Sequence, residues 1–290
     1  MIAWPTELVD DLAARRSVLF LGAGVSKNST NAHGERPADW DQFLLRLASQ
    51  IADAGHRAEV ESCVQDGELL TACELAKEFL QADRFKGQLI AEYNDKQFKH
   101  ASIHDSISAI DSRFVLTTNF DRLYETRANT LQHNTVMVKN YYDNDVADVF
   151  RRRHRTVLKI HGSIDQADKV IFTRSSYAAA RVQYAHFYRL LDTMFTTHTF
   201  VFLGASMRDP DLQLVMEDHA YRFEGTRPHY IVMPQGQLKP AVQRMMERSM
   251  NLRALTYDPA SGHAELGQSL AALAPLVTAA RDSLSKTQDW

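Results

Sequence analysis

The chain has 290 residues, 44% of them hydrophobic and 24% charged, with a net charge of −3 at pH 7. That length and balance fit an ordinary soluble globular protein of one or two domains. So small a negative charge draws no nucleic acid by a global field, and no apolar run is long enough to span a bilayer.

Pro5 to Arg16 predicts an opening helix with Leu8, Val9, Leu12 and Ala13 along one stripe. Val18 to Leu21 is then an unbroken apolar run, closed by Gly22-Ala-Gly24 and followed by Ser26 and Lys27. Such a run predicts a strand buried on both faces, as in a parallel sheet. Two glycines directly after it let the backbone turn tightly and approach a phosphate, and a following helix aims its free N–H groups at the anion. A full dinucleotide fingerprint has a third glycine, where position 27 here is Lys. Alone, the stretch serves equally as a plain strand-to-helix turn.

Residues 28 to 38 are polar, with Gly34 and Pro37, and read as a loop. Asp39 can cap a helix that starts near Trp40 and carries Phe43, Leu44, Leu47 and Ile51 at helical spacing. Helical patterns alone continue to about Ser112, through Leu69 to Phe79, Phe85 to Tyr93 and Ile103 to Ile110. Residues 39–111 are therefore expected to form a helical insertion or subdomain that walls a pocket or makes an oligomer contact. For most of its residues plain scaffolding is the simpler role. Cys63 and Cys73, in this region, read as small buried hydrophobes in a reducing cytosol.

Three further stretches repeat the strand-and-polar-end design. Phe114 to Thr117 runs into Thr118-Asn-Phe-Asp121, Thr156 to Ile160 into His161-Gly-Ser163, and Thr199 to Leu203 into Gly204-Ala-Ser206. Thr135 to Val138 is a short strand, Tyr141 to Asp148 a polar acidic loop, and Arg151 to Arg155 a basic run that reads first as a solvated face. Residues 174 to 198 are helical, and Asp209 or Asp211 with Pro210 starts the next helix. A strand from Pro228 to Met233, a helix from Pro240 to Met250, a strand from Leu252 to Tyr257 and a helix from Ala264 to Leu284 complete the chain. This alternation predicts an α/β fold: a Rossmann-like, doubly wound, mainly parallel sheet with the helical insertion upon it. Ligands in such sheets bind beyond the carboxyl ends of the strands, where four polar ends would make one site.

At these residues the chain resembles the SIR2-like, sirtuin-fold NAD-consuming proteins. Gly22-Ala-Gly-Val-Ser26 is similar to the family's phosphate loop, Thr118-Asn-Phe-Asp121 to its Thr-x-Asn-x-Asp motif, Ile160-His-Gly162 to its catalytic His-Gly, and Gly204-Ala-Ser206 to its Gly-x-Ser. Pro37 and Trp40 stand where the bacterial antiphage branch has them. The resemblance implies a single domain over 1–290, with Asn119 and His161 catalytic. It implies that Gly22, Ala23, Gly24 and Ser26 hold the pyrophosphate, Asp121 the nicotinamide carboxamide, and Gly204 and Ser206 the adenosine-side ribose or phosphate. The segment before Asp39 covers the dinucleotide in the family and is often mobile there. Asp209 recurs in the branch without an assignable role.

Nicotinamide is cationic while attached to ribose and leaves neutral, so its departure needs no proton and charge develops as an oxocarbenium ion on the sugar. An uncharged amide such as Asn119 orients a water or ribose hydroxyl, and an imidazole such as that of His161 can act as the general base that takes a proton from one of them. Taken singly, each is as readily structural: Asn119 as a cap on a helix starting at Phe120, His161 as a satisfied core residue.

Sirtuin deacylases carry a zinc ribbon of two Cys-x-x-Cys pairs, which this chain lacks. The resemblance therefore implies hydrolysis of NAD to nicotinamide and ADP-ribose, with NAD as substrate and no metal, by an effector of antiphage defence. The alternatives are a non-catalytic NAD or ADP-ribose binding scaffold subunit, and a protein ADP-ribosyltransferase or deacylase. Such activity must be held off until infection, so a homo-oligomer and a partner, a HerA-like ATPase or another defence subunit, are expected. No signal peptide or membrane span is seen, so a cytoplasmic protein without membrane or direct nucleic-acid partners is expected.

Overall fold

A computed structural model of the chain describes residues 1–287. Seven strands form one sheet: β1 (Ser17–Leu21), β2 (Phe114–Thr117), β3 (Met137–Asn140), β4 (Thr156–Lys159), β5 (Thr199–Leu203), β6 (His229–Pro234) and β7 (Leu252–Tyr257). All pairings are parallel and the order is β3-β4-β2-β1-β5-β6-β7. The chain leaves β1 toward β2 on one side and later crosses to β5 on the other, so the direction of winding reverses beside β1. The crevice of a doubly wound sheet lies at such a reversal.

The helices follow in order: α1 (Thr6–Ala13), α2 (Ala23–Ser26), α3 (Trp40–Ser49), α4 (Ala54–Gln65), α5 (Leu69–Leu80), α6 (Ala82–Ile90), α7 (Ser102–Ala109), α8 (Leu123–Leu131), α9 (Arg174–Gln183), α10 (Ala185–Thr197), α11 (Pro210–Arg222), α12 (Pro240–Met250) and α13 (Ala260–Thr287). A π-helix, Ala91–Asp95, extends α6. The helical stretch expected over 174 to 198 is two helices, broken at Tyr184.

The central strands bury both faces, and their alternate residues divide between two cores. Val18 and Phe20, with Phe114, Leu116, Phe200 and Phe202, face α9 to α12. Leu19 and Leu21, with Val115, Val201 and Leu203, face α1, α7, α8 and α13. Each such side chain contributes about 1.5–3 kcal/mol when fully buried. That is why these strands read as unbroken apolar runs. A third core, around Phe43, Leu47, Ala72, Cys73 and Phe85, is built by α3 to α6 and takes in Phe120 and Phe172 from the sheet's loops. Helix α7 lies within 39–111 yet packs against α8 and α13 beside the sheet. In the basic run, Arg152 pairs with Asp148 and Arg155 with Asp111. Among the described residues no helix is long and apolar enough to cross a membrane.

At the opposite end of the sheet from the strand termini, His229 opens β6 beside His219 of α11, the rings 5.6 Å apart. His229 Nδ1 accepts the Phe200 N–H at 3.1 Å, which places its proton on Nε2, a buried atom without a partner among the described residues. Burial, then the neighbouring His219, lowers the His229 pKa from 6.5 to about 3. The unfolded chain therefore takes this proton first as pH falls. Stability is whole above the unfolded value and is lost as pH drops through the window between 6.5 and about 3. Chemical denaturation at about pH 7.5 and about pH 5 should show a loss for the parent and a smaller loss for His229→Leu. The variant's own stability at neutral pH should be lower by about 1–3 kcal/mol, because the Phe200 N–H loses its acceptor.

Candidate active site

The site is built by register. Leu21 stands opposite Thr117 on one side and Leu203 on the other, and Thr117 opposite Lys159. Four strands thus end level, and Gly22, Asn119, His161 and Gly204 follow within two residues of those ends. Thr117 ties two of them together: its Oγ1 donates to Leu21 O at 2.9 Å and accepts the Asn119 N–H at 3.0 Å.

The β1 and β5 loops touch through their backbones. Gly22 N–H donates to Leu203 O and Gly24 N–H to Gly204 O, each at 2.9 Å. A Cβ on Gly22 would lie 2.5 Å from Gly204 O, and one on Gly204 would lie 2.5 Å from Val25 N, where φ is already +62°. These glycines are thus required by loop-to-loop contact, whatever they do for a ligand. The Val25 N–H is also engaged, with Gly22 O. Of the turn's first amides, that of Ala23 has no backbone partner among the described residues, and Ala23 is exposed and lines the cavity.

Asn119 is held by both its amide hydrogens, Nδ2 donating to Gly22 O and to Ser26 Oγ at 3.0 Å each. Its Oδ1 is left as the group that can accept from a ligand. It does not cap a helix: α8 starts at Leu123, and Asp121 Oδ1 takes the Leu123 N–H. Asp121 Oδ2 accepts the Ser26 hydroxyl at 2.8 Å, so Ser26, Asn119 and Asp121 form one chain of hydrogen bonds. Behind them Lys159 Nζ, almost fully buried, grips the Asp121 carbonyl and lies 2.7 Å from Glu125 Oε1. Removing one member of such a buried pair costs about 3–5 kcal/mol.

His161 is buried, with Nε2 3.0 Å from Asp209 Oδ2. Tyr177 crosses the imidazole edge-on at 5.1 Å and donates its hydroxyl to the same Oδ2 at 2.8 Å. Asp209 Oδ1 caps α11 through the Leu212 N–H, with Pro210 as the first helical residue. Burial pushes the Asp209 carboxyl up, but the His161 ring, the Leu212 N–H and the Tyr177 hydroxyl outweigh it and hold the group below the usual carboxylate range. With Nε2 turned to a carboxylate, Nδ1 becomes the basic nitrogen of the neutral ring.

One cavity of about 550 Å³ joins these elements. Gly22, Ala23, Gly24, Ser26, Asn119, Asp121, His161, Gly204 and Ser206 all line it, and Trp40, Tyr93, Phe120 and Phe172 form an aromatic wall. Trp40 and Tyr93 come from the helical region; helical spacing places Tyr93 only on the apolar face of its helix, and Trp40 stands out in the sequence only as a helix start and through the resemblance.

A family model described as the SIR2-like domain matches residues 113–255, from the start of β2 into β7. The chain belongs to the SIR2-like family. This SIR2-like protein is 26% identical over 220 residues to "NAD(+) hydrolase ThsA" of Enterococcus faecium, covering 75% of the chain and 43% of the relative. It is 29% identical over 227 residues to the protein of the same name from Acinetobacter baumannii (strain 532279), covering 78% and 44%. It is 24% identical over 213 residues to "Defense-associated sirtuin 2" of Bacillus subtilis, covering 72% and 20%. The SIR2-like chain thus spans less than half the length of these curated relatives.

The glycine contact has a measurable consequence. Gly22→Ala should lower stability by about 2–3 kcal/mol, because the methyl group meets backbone that cannot yield. Gly87→Ala, within α6 and with open space around its Cβ position, should raise it by about 0.5–1 kcal/mol. Denaturant titration of the two variants checks both signs.

Proposed function

We propose that this cavity hydrolyses NAD at the nicotinamide–ribose bond, giving nicotinamide and ADP-ribose. The observation that carries the reading is the arrival of Asn119 and His161, on neighbouring strand ends, at the cavity that also holds the glycine turn. Asn119 Oδ1 orients the attacking water or a ribose hydroxyl, and His161 Nδ1 takes the proton. Asp209 fixes the ring's tautomer and is a positioning residue. Asp121 takes the nicotinamide carboxamide, since each of its oxygens accepts one hydrogen bond here and retains a lone pair. Gly204 and Ser206 face the adenosine-side ribose or phosphate. Enclosure by the aromatic wall shields the developing oxocarbenium ion from bulk water.

The relatives' printed names, NAD(+) hydrolase and defence-associated sirtuin, support the same reading and an effector role in antiphage defence. Because free NAD hydrolysis is lethal to the host, we place control in homo-oligomer assembly or a partner such as a HerA-like ATPase, acting in the cytoplasm. Residues 1–290 are read as one SIR2-like unit, with 39–111 inserted in it.

Incubation of the purified protein with NAD, alone and with its activating partner, should release nicotinamide. His161→Ala and Asn119→Ala should each lower the rate by about 10²–10⁴-fold. Asp209→Asn, which keeps a capping oxygen for α11, should lower the rate without loss of fold by circular dichroism. No nicotinamide release under any activating condition defeats the proposal. NAD binding by a parent without turnover, unchanged in His161→Ala, would make the chain a binding subunit instead.

A further inference from the structure

Of the amides of Gly22, Ala23, Gly24 and Val25, only that of Ala23 is left for a diphosphate among the described residues. The N–H groups of Gly22, Gly24 and Val25 are committed to Leu203, Gly204 and Gly22 carbonyls. A dinucleotide's diphosphate carries two negative charges, and charges brought out of water need partners. Three cationic side chains line the cavity, Lys27, Arg36 and Arg208. Arg36 donates to the Lys27 carbonyl at 3.0 Å; Lys27 and Arg208 stand beside the turn and are paired with carboxylates instead. Lys27 follows the glycine turn directly, and Arg208 lies two residues after Ser206, so they arrive on the loops that leave β1 and β5.

Both are held by carboxylates from a single place, the start of α3. Lys27 Nζ lies 2.6 Å from Asp39 Oδ2, and Arg208 Nη1 lies 3.0 Å from Asp41 Oδ2. Asp39 divides its oxygens: Oδ1 caps α3 through the Gln42 N–H, and Oδ2 alone meets Lys27. Burial pushes the Asp39 carboxyl up, but the hydrogen bonds from Lys27 and Gln42 outweigh it and hold the group below the usual range, so it is ionised at neutral pH. Both pairs are partly exposed, which makes each weak and open to exchange.

We infer that Lys27 and Arg208 bind the dinucleotide's diphosphate, giving up Asp39 and Asp41 for phosphate oxygens. The inference rests on the dinucleotide reading above. A guanidinium offers a fork that fits two phosphate oxygens, and an ammonium offers a mobile point charge. The exchange leaves the α3 cap intact, because Oδ1 of Asp39 is not involved. It also frees the start of α3 from both strand-end loops at once. Ligands with a diphosphate compete with the two carboxylates; adenosine and nicotinamide do not.

Calorimetric titration of the full chain with ADP-ribose, and with adenosine on the same samples, tests this at two salt concentrations. Lys27→Met/Arg208→Met should lose about tenfold to a hundredfold in ADP-ribose affinity. Its salt dependence should flatten while adenosine binding, which reports a folded pocket, is kept. Asp39→Asn/Asp41→Asn, with Asn still able to cap α3, should bind ADP-ribose about two- to fivefold tighter. A parent that binds ADP-ribose beside a Lys27→Met/Arg208→Met variant that binds it as tightly overturns the inference and leaves the dinucleotide reading standing. Weaker binding by Asp39→Asn/Asp41→Asn overturns the exchange, since the carboxylates would then be aiding the cations. A parent that binds neither ADP-ribose nor NAD overturns both readings.

Discussion

The molecule depends on the backbone contact between the turn after β1 and the turn after β5. Gly22 and Gly24 lie against Gly204 at a distance that no side chain permits, and two amide-to-carbonyl bonds seal the approach. With those loops closed together, Leu21, Thr117, Lys159 and Leu203 end at one level. An amide and an imidazole two residues beyond their strands then have a single cavity to enter. A slip of one residue in any of these pairings would turn the inward side chains to the other face of the sheet.

Around this centre each polar group is held from behind. Thr117 ties the β2 loop to β1, Lys159 ties it to β4, and Asp209 with Tyr177 fixes the imidazole. The segment before α3, often mobile in the family, is anchored here at both ends. Lys99 N–H donates to Thr30 O, and Glu92 accepts the Ala38 N–H. Glu92 and the cavity-lining Tyr93 both belong to the π-helix that extends α6. Such a bulge displaces the side chains after it from ordinary helical spacing. One irregular turn therefore supplies both a wall of the cavity and the anchor of the strap beside it.

The parallel sheet was legible because the middles of strands buried on both faces must be apolar, as Val18 to Leu21 and Phe200 to Leu203 are. The four strand ends were legible because glycine, Asn and His are unusual residues at the close of such runs. What escaped was whatever depends on approach between distant segments. Nothing local says that Gly24 is needed by Gly204, 180 positions away in the chain. Asp209 could be seen as the start of a helix, from its Pro210, but not as the partner of His161. Tyr177 and Tyr93 carry the pattern of ordinary core residues, and only the folded loops bring them to the cavity. The alternative role for Asn119, as a helix cap, fails for a similar reason: Arg122 precedes α8 without a side-chain cap, Asp121 rather than Asn119 accepts the Leu123 N–H, and the helix opens three residues later than Phe120.

Asp209 meets two requirements at once. Its Oδ1 begins a helix of thirteen residues and its Oδ2 faces the imidazole. The start of that helix and the aim of the ring are therefore set by the same carboxylate, so that a displacement of the first turn of α11 would carry with it the oxygen that faces His161.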